Sequence, residues 1–459
     1  MSESTVPDRL YHRNLYRFGD PEPSYWEATQ GDTKLAAEPL IGNEQCEVAI
    51  IGGGYTGLSA AYHLCRDHQI DARVLEAGHI GWGASGRNGG FCSIGGSSLD
   101  IDNMIRSYGV DETRKYYQSQ VDAVELVRQI IREENIDSPM QGNAELEVAC
   151  TRKAFKEITD YAENRIRLLG LTTTVLKREQ FRERYFDFPK LHGACTLQPT
   201  FGLHPLRYLR GLAAAAEKQG AFLHPRSEVI EWGNDGASHV LTTRYGSLRA
   251  RYVVLATNGF TPEHLLPAFY ARTLPIISAI VVTRPLNDNE LAAHAWQTES
   301  PVITSYDLLN YFRLLPDKRF MWGGRGSSNG APGGAARNFA ALIAGMHKMF
   351  PEWRDIEIDY RWHGLICLTR RMTPAIGRLE DDPSVFFGFG YHGNGVNTAT
   401  WAGQRIAEWI GGSRVGDRRA PKSVPTVVKG LSGRFPLPSM RLLYVQARIA
   451  SFRVTDWLK

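Results

Sequence analysis

The sequence holds few cysteines and no paired set. Six stand scattered through 459 residues (Cys46, Cys65, Cys92, Cys150, Cys195, Cys367), and no two form a C-x-x-C arrangement. This argues against a structural zinc site, and no metal ligands are expected. It suits buried, reduced thiols in a cytoplasmic protein. Long apolar runs are missing as well: nothing approaches the roughly eighteen residues that a membrane span needs. The opening segment is polar and lacks an apolar h-region, so no secretory signal is expected. Strong charge of either sign is also absent. Fifty-three Lys and Arg against 49 Asp and Glu leave a net +4, too little for a phosphate-binding stripe, and no nucleic-acid partner is expected. No internal repeat stands out.

What the chain does have is glycine, 45 in all, and 43% hydrophobic residues. The length suits two or three domain-sized units, or two interleaved ones. After an irregular arm over residues 1–40, the run Val48 to Ile51 reads as a buried parallel strand. Gly52-x-Gly54-x-x-Gly57 follows it and opens a helix through Tyr55 and Thr56. In that context the glycines allow a tight turn, approach to a pyrophosphate, and close helix packing. The helix start offers oriented N–H donors to phosphate. Glu76, with Ala77 after it, ends the next strand, where an acid would accept ribose hydroxyls. This motif alone leaves NAD and FAD open.

Two further glycine stretches favour the longer nucleotide. "GWGASGRNGGF" directly follows the second strand, and Ala84, Ser85, Gly89 and Gly90 leave clearance for a ligand lying across the sheet edge. Arg87 and Asn88 could donate to phosphate or flavin, and Arg87 reads equally as a surface charge. Near the C-terminus, Gly390, Gly393 and Gly395 again link a strand to a helix that begins Val396-Asn397. A helix N-terminus there would stabilise negative charge on a reduced ring system. An NAD dehydrogenase needs only the first of these turns.

"AIIGGGYTGLSAAYHL", "IGWGASGRNGGF", "YFRLLPDKRFMWGGRG" and "GYHGNGVNTATWAGQRIAEWI" together resemble the FAD-dependent D-amino-acid-oxidase-like oxidoreductases, closest to their γ-glutamylputrescine oxidoreductase branch. The resemblance covers about residues 20 to 459. It implies an α/β (α+β) fold in which a Rossmann-like FAD domain (40–110, 195–265, 360–430) is interleaved with an antiparallel-sheet substrate domain (111–194, 266–359). It also implies FAD contacts from Val229 and from the turn Thr257, Asn258 and Gly259. Gly364 stands where the sarcosine oxidase branch has a flavin-anchoring cysteine, so non-covalent FAD is expected. Met321 or Trp322 stands where that branch has an oxygen-activating lysine. Another electron acceptor is therefore open.

The reaction so implied is hydride transfer from the carbon beside an amine or amino-acid nitrogen to flavin N5. Candidate substrate contacts are His392, Tyr311, Arg313, His363 and Arg370, with Arg313 able to pair a carboxylate. For His392 the competing reading is a hydrogen-bonded structural histidine; for the arginines it is an ion pair. Two other readings of the chain compete: an NAD(P)-linked dehydrogenase, and a flavin-bound assembly protein without turnover. Over 431–459 a basic amphipathic helix is expected. Leu442, Val445, Ile449 and Phe452 lie on one side and Arg441 and Arg448 on another. It would dock on the body; contact with a membrane surface is the less favoured reading.

Overall fold

The computed structural model describes residues 10–306, 308–326, 330–412 and 423–447. Two large sheets organise them. The first runs in the order Ala375–Arg378, Val385–Phe389, Gly246–Leu255, Gly42–Ile51, Ala72–Leu75, Phe222–His224. All neighbours are parallel except the outermost pair, Ala375–Arg378 with Val385–Phe389. A small antiparallel ribbon, Glu231–Asn234 with His239–Thr242, pairs with the first half of Gly246–Leu255. The central strand explains the apolar run at its end. Val48 and Ile50 pack into one core cluster and Ala49 and Ile51 into another, so both faces are covered.

Helices Tyr55–His68, Pro205–Lys218, Gly395–Gly412 and Val110–Glu133 cover one face. The first and third of these lie especially close. A Cβ on Gly403 would stand 2.4 Å from the Thr56 carbonyl oxygen and 2.7 Å from Ala60 N. Only a residue without a side chain permits that approach.

The second sheet runs Ile358–Thr369, Thr273–Pro285, Arg319–Arg325, Tyr311–Leu314, Val302–Thr304, Glu145–Ala149, Gly193–Gln198, Thr172–Lys177. All its pairs are antiparallel except Val302–Thr304 with Glu145–Ala149. Period-two alternation separates its faces. Leu146, Val148, Val281, Phe312, Phe320 and Trp322 join an aromatic core with Phe350 and Trp353 on the outer side. Glu145, Ser278, Ile280 and Tyr311 look the other way, onto a cavity between this sheet and the first.

The structure redraws some expected boundaries. Residues 195–198 and 360–369 belong to strands of the second sheet, because Gly193–Gln198 and Ile358–Thr369 pair there along their length. Residues 110–133 form a helix on the nucleotide side, since Tyr116, Val124, Val127 and Ile131 bury against that helical layer. Val229 lies just before the Glu231–Asn234 strand rather than in it. At the C-terminus, Arg441 does not face solvent. It forms a bidentate pair with Glu263 at 2.5 and 2.7 Å, and Val445 packs on Leu274 and Phe435. Arg448, Ile449 and Phe452 lie outside the described residues. Among the described residues no helix is long and apolar enough to cross a membrane, and no His, Cys, Asp and Glu cluster suits a metal.

Candidate active site

The first glycine turn begins where the Gly42–Ile51 strand stops. Gly52 takes φ +112°, and the helix starts from Gly54 with no side-chain cap. Tyr55 N donates to Ser85 Oγ of the next glycine loop at 3.1 Å, and the N-cap residue itself covers none of the N–H groups that follow. Gly57 stands against the turn it follows: a Cβ there would lie 2.0 Å from the Gly52 carbonyl oxygen. Glu76 closes the other side. Its two oxygens accept from Gly53 N at 2.8 Å and Gly78 N at 2.9 Å. Burial pushes its carboxyl up, and those two N–H groups pull it back. The cavity they border measures about 610 Å³, and Gly52, Gly54, Tyr55, Thr56, Glu76 and Ala77 line it. That volume suits a large organic ligand.

The second glycine loop forms the cavity's flank, with Ala84, Ser85, Arg87, Asn88 and Gly89 on its lining. Asn88 ties its own loop: its amide donates to Ser85 O at 2.8 Å and its oxygen accepts from Gly90 N at 2.8 Å. Gly90 turns away from the cavity, against the Leu203 carbonyl. Arg87 is only 6% exposed, so it is no surface charge. Its Nε donates to Trp82 O at 2.6 Å, one Nη donates to Glu22 Oε2 at 3.2 Å, and the guanidinium lies 4.0 Å from the Trp82 ring centroid. Its other Nη is buried without a partner among the described residues. A cavity-lining cation with one idle donor suits an anionic or carbonyl-rich ligand.

The arm before residue 40 straps this loop down, which its irregular sequence did not announce. Trp26 Nε1 donates to Asn88 O at 2.9 Å, Trp82 Nε1 to Asp20 O at 2.8 Å, and His363 N to Glu22 Oε1 at 3.2 Å. Replacing Glu22 by glutamine is expected to weaken FAD binding about fivefold, since a charged hydrogen bond to Arg87 becomes a neutral one at a half-exposed site. Fluorescence titration of apoprotein with FAD reads this directly; an unchanged dissociation constant would remove the arm from cofactor retention.

The second glycine turn meets both other loops. Gly390 (φ +76°), His392 (φ +51°) and Gly393 (φ +92°) carry the chain from strand to helix. Gly390 N donates to Asn258 Oδ1 at 2.9 Å, which draws the Thr257–Gly259 turn alongside. Thr257, Asn258, Val229, Gly364, His392, Gly393, Gly395 and Val396 line the cavity; Gly57, Gly259, Gly390 and Asn397 stand behind that lining. Asn397 is fully buried and donates to Ser93 O at 3.0 Å. The His392 ring is occupied on both sides. Thr369 N–H donates to Nε2 at 3.3 Å, so Nδ1 carries the proton and donates to Ser98 Oγ at 2.8 Å. Burial pushes this imidazole down to about 3, which keeps it neutral. As it stands, the ring braces the turn.

The other substrate candidates separate. Tyr311 lines the cavity, its hydroxyl 2.9 Å from Ser278 Oγ. Arg313 does not reach it. The guanidinium is 0% exposed and donates to Gly89 O at 3.2 Å, Gln141 Oε1 at 2.5 Å and Leu203 O at 2.6 Å. Tyr311, two residues earlier on the strand, lines the cavity in its place. His363 lies outside the lining, its ring against Phe339, and the exposed Arg370 donates to Arg434 O. Met321 and Trp322 are buried in the core clusters. Among the lining residues that went unread in the sequence are Ser93 and Glu145. In "AELEVACT" the acids alternate with apolar residues as on any half-solvated strand, so nothing local marks Glu145 as a cavity group.

The uncapped helix start, the clearance at Gly57, the carboxylate of Glu76 and the idle donor of Arg87 fit a dinucleotide stretched between two glycine-opened helices. Comparison with known proteins agrees: residues 47–409 match the family described as FAD dependent oxidoreductase. The chain belongs to this family. Its cofactor is FAD, which sets aside the NAD(P)-linked reading. It is 33% identical over 374 residues to the γ-glutamylputrescine oxidoreductase of Escherichia coli (strain K12), covering 80% of this chain and 84% of that one. Among solved structures it resembles glycine oxidase from Geobacillus kaustophilus, with TM-score 0.67, 20% identity, and 84% and 99% of the two chains covered. It also resembles L-proline dehydrogenase from P. horikoshii, with TM-score 0.66, 21% identity, and coverage of 82% and 95%. These two likenesses describe the fold.

Proposed function

We propose that this enzyme oxidises a C–N bond of an amine or amino acid, with a γ-glutamyl-amine as first candidate. The observation that carries the reading is one continuous cavity joining the dinucleotide cradle to the inner face of the antiparallel sheet. The identity with the E. coli γ-glutamylputrescine oxidoreductase supports the substrate class. When bound, FAD supplies a two-electron hydride acceptor. The chain's own part is to orient the donor carbon and keep water out. Ile280, Ile303, Leu308 and Leu309 give the substrate end apolar walls. Such walls disfavour an ammonium and favour the neutral amine, whose lone pair drives hydride loss from the adjacent carbon. The substrate then leaves as an imine, having lost one hydride and one N–H proton. Water hydrolyses it to an aldehyde or keto acid.

FAD held without a covalent bond is part of this reading. Gly364 offers no nucleophile, and burial pushes the nearby Cys367 thiol up to about 12, where it is inert. An acceptor other than oxygen is a second reading. No lysine among the described residues lines the cavity, so the resembling branch's oxygen-activating lysine has no like residue there.

Anaerobic mixing of the FAD-loaded enzyme with γ-glutamylputrescine, glycine, N-methylglycine, proline and n-butylamine tests the reading. At least one amine is expected to bleach the flavin's visible absorption. No bleaching by any of them would sink it. Reoxidation by air or by a dye then separates the two acceptors.

A further inference from the structure

The cavity contains a carboxyl group that the reaction above does not yet use. Glu145 opens the strand Glu145–Ala149, and its neighbour Leu146 packs into the outer aromatic core. Alternation therefore turns Glu145 inward, onto the cavity, where it is 8% exposed. Among the described lining residues the other carboxylates are Glu76 and Glu228, which sit with Val229 at the nucleotide end. Glu145 is the one on the substrate sheet. Tyr311 stands two strands away on the same face, in register with Glu147 and so two residues further along the sheet than Glu145.

Its surroundings hold it in place but do not neutralise it. Ser93 Oγ donates to Glu145 Oε2 at 2.5 Å. Ser93 is fixed in turn through its carbonyl, which accepts from Asn394 Nδ2 at 2.7 Å and Asn397 Nδ2 at 3.0 Å. Both asparagines belong to the second glycine turn and its helix. The carboxyl is thus registered against the place where a ring system would lie. Glu145 Oε1 has no hydrogen-bond partner among the described residues. Arg165, the cation that acts on it, is held by Glu147 at 3.4 Å, and Arg325, also on the cavity lining, stands three strands away. A buried carboxylate without its own counter-ion is costly, and a cation entering the cavity would supply one.

We propose that Glu145 receives the substrate's ammonium group on Oε1 and takes its proton, so that the reacting nitrogen becomes neutral in place. The proposal rests on the amine reading above. The step balances: R–CH2–NH3⁺ and the carboxylate become R–CH2–NH2 and the carboxylic acid, with no electrons moved. Hydride loss from the adjacent carbon then follows. The substrates this selects are amines that arrive as cations; hydroxy acids and amides are excluded.

Burial pushes the Glu145 carboxyl up to about 7, and the charge of Glu147 adds to that, while Ser93 and Arg165 oppose it. This sets the sign of the pH dependence. The carboxyl is ionised above about 7 and protonated below, whereas a simple ammonium keeps its charge throughout. Amine affinity therefore falls about tenfold per pH unit below that value and levels off above it. His392 stays neutral across this range.

The test is anaerobic calorimetry on FAD-loaded protein titrated with γ-glutamylputrescine and with n-butylamine, for the wild type, Glu145→Gln and Glu145→Asp. Glu145→Gln is expected to bind about 30-fold more weakly and to lose the pH limb, with FAD content and melting temperature unchanged. Glu145→Asp keeps the limb and recovers part of the affinity. Two results would overturn the proposal: Glu145→Gln binding within about threefold of wild type, or no binding of either amine by the wild type. Binding without flavin bleaching would leave the ammonium site standing and remove only the oxidation reading.

Discussion

Substituting alanine for Gly57 is expected to give a protein that carries no FAD after gel filtration. The added Cβ would stand 2.0 Å from the Gly52 carbonyl oxygen and 3.0 Å from Ile50 Cγ2. Neither the oxygen nor the strand can yield, because Gly52 N is itself bonded to Leu75 O at 2.9 Å. The helix would have to withdraw by about an ångström. Its far side is closed, since Gly403 of the other glycine-opened helix sits against Thr56 and Ala60. The strain then falls on the Gly52–Gly57 turn, whose N–H groups are proposed to meet the pyrophosphate. Overpacking of this kind costs on the order of 3 kcal/mol, equivalent to about a hundredfold in FAD affinity. Two measurements check it: the flavin-to-protein absorbance ratio, and the rise in melting temperature on adding FAD, which the wild type gives and the variant loses. Stoichiometric FAD in the variant would show that the first turn is not the pyrophosphate cradle.

Arg313→Met is expected to lower global stability by about 3 kcal/mol or more. The guanidinium serves three acceptors at once: the carbonyls of Gly89 and Leu203 and the side-chain oxygen of Gln141. Methionine fills most of the volume and satisfies none of them. Each buried acceptor left without a donor costs about 1 kcal/mol at least. Gly89 belongs to the glycine-rich loop, so FAD release should quicken as well. Lysine would be a poor rescue, because one ammonium cannot spread over three directions. Urea unfolding of the FAD-loaded protein reads the loss. A variant with unchanged stability and a raised KM for amino-acid substrates only would restore Arg313 as a carboxylate receptor.

How far the sequence could be read depended on how locally each feature was encoded. The strand–turn–helix at Ile51 to Gly57 is fixed by neighbouring residues and needs no distant partner. The same holds for Phe389 to Val396. Sheet membership is different. Gly42–Ile51 pairs with Gly246–Leu255, about two hundred residues away, and nothing in either segment names the other. Residues 360–369 looked continuous with the nucleotide segment after them, yet their backbone pairs with Thr273–Pro285. Polar residues misled for a related reason. Arg313 and Glu145 have the same appearance in a strand pattern, a charge between apolar neighbours. Only the assembled sheet shows that one charge is sealed among carbonyls and the other borders a cavity. Glu22 lay in a proline-rich arm without periodicity, so its grip on Arg87 left no pattern to find.

The cavity draws its walls from residues as far apart in the chain as Phe18 and Ala399. A growing polypeptide therefore cannot complete this cavity until the segment through Ala399 has left the ribosome. No excised piece of one sheet retains a whole binding surface. The colour of the purified protein thus reports that both sheets have closed around one another.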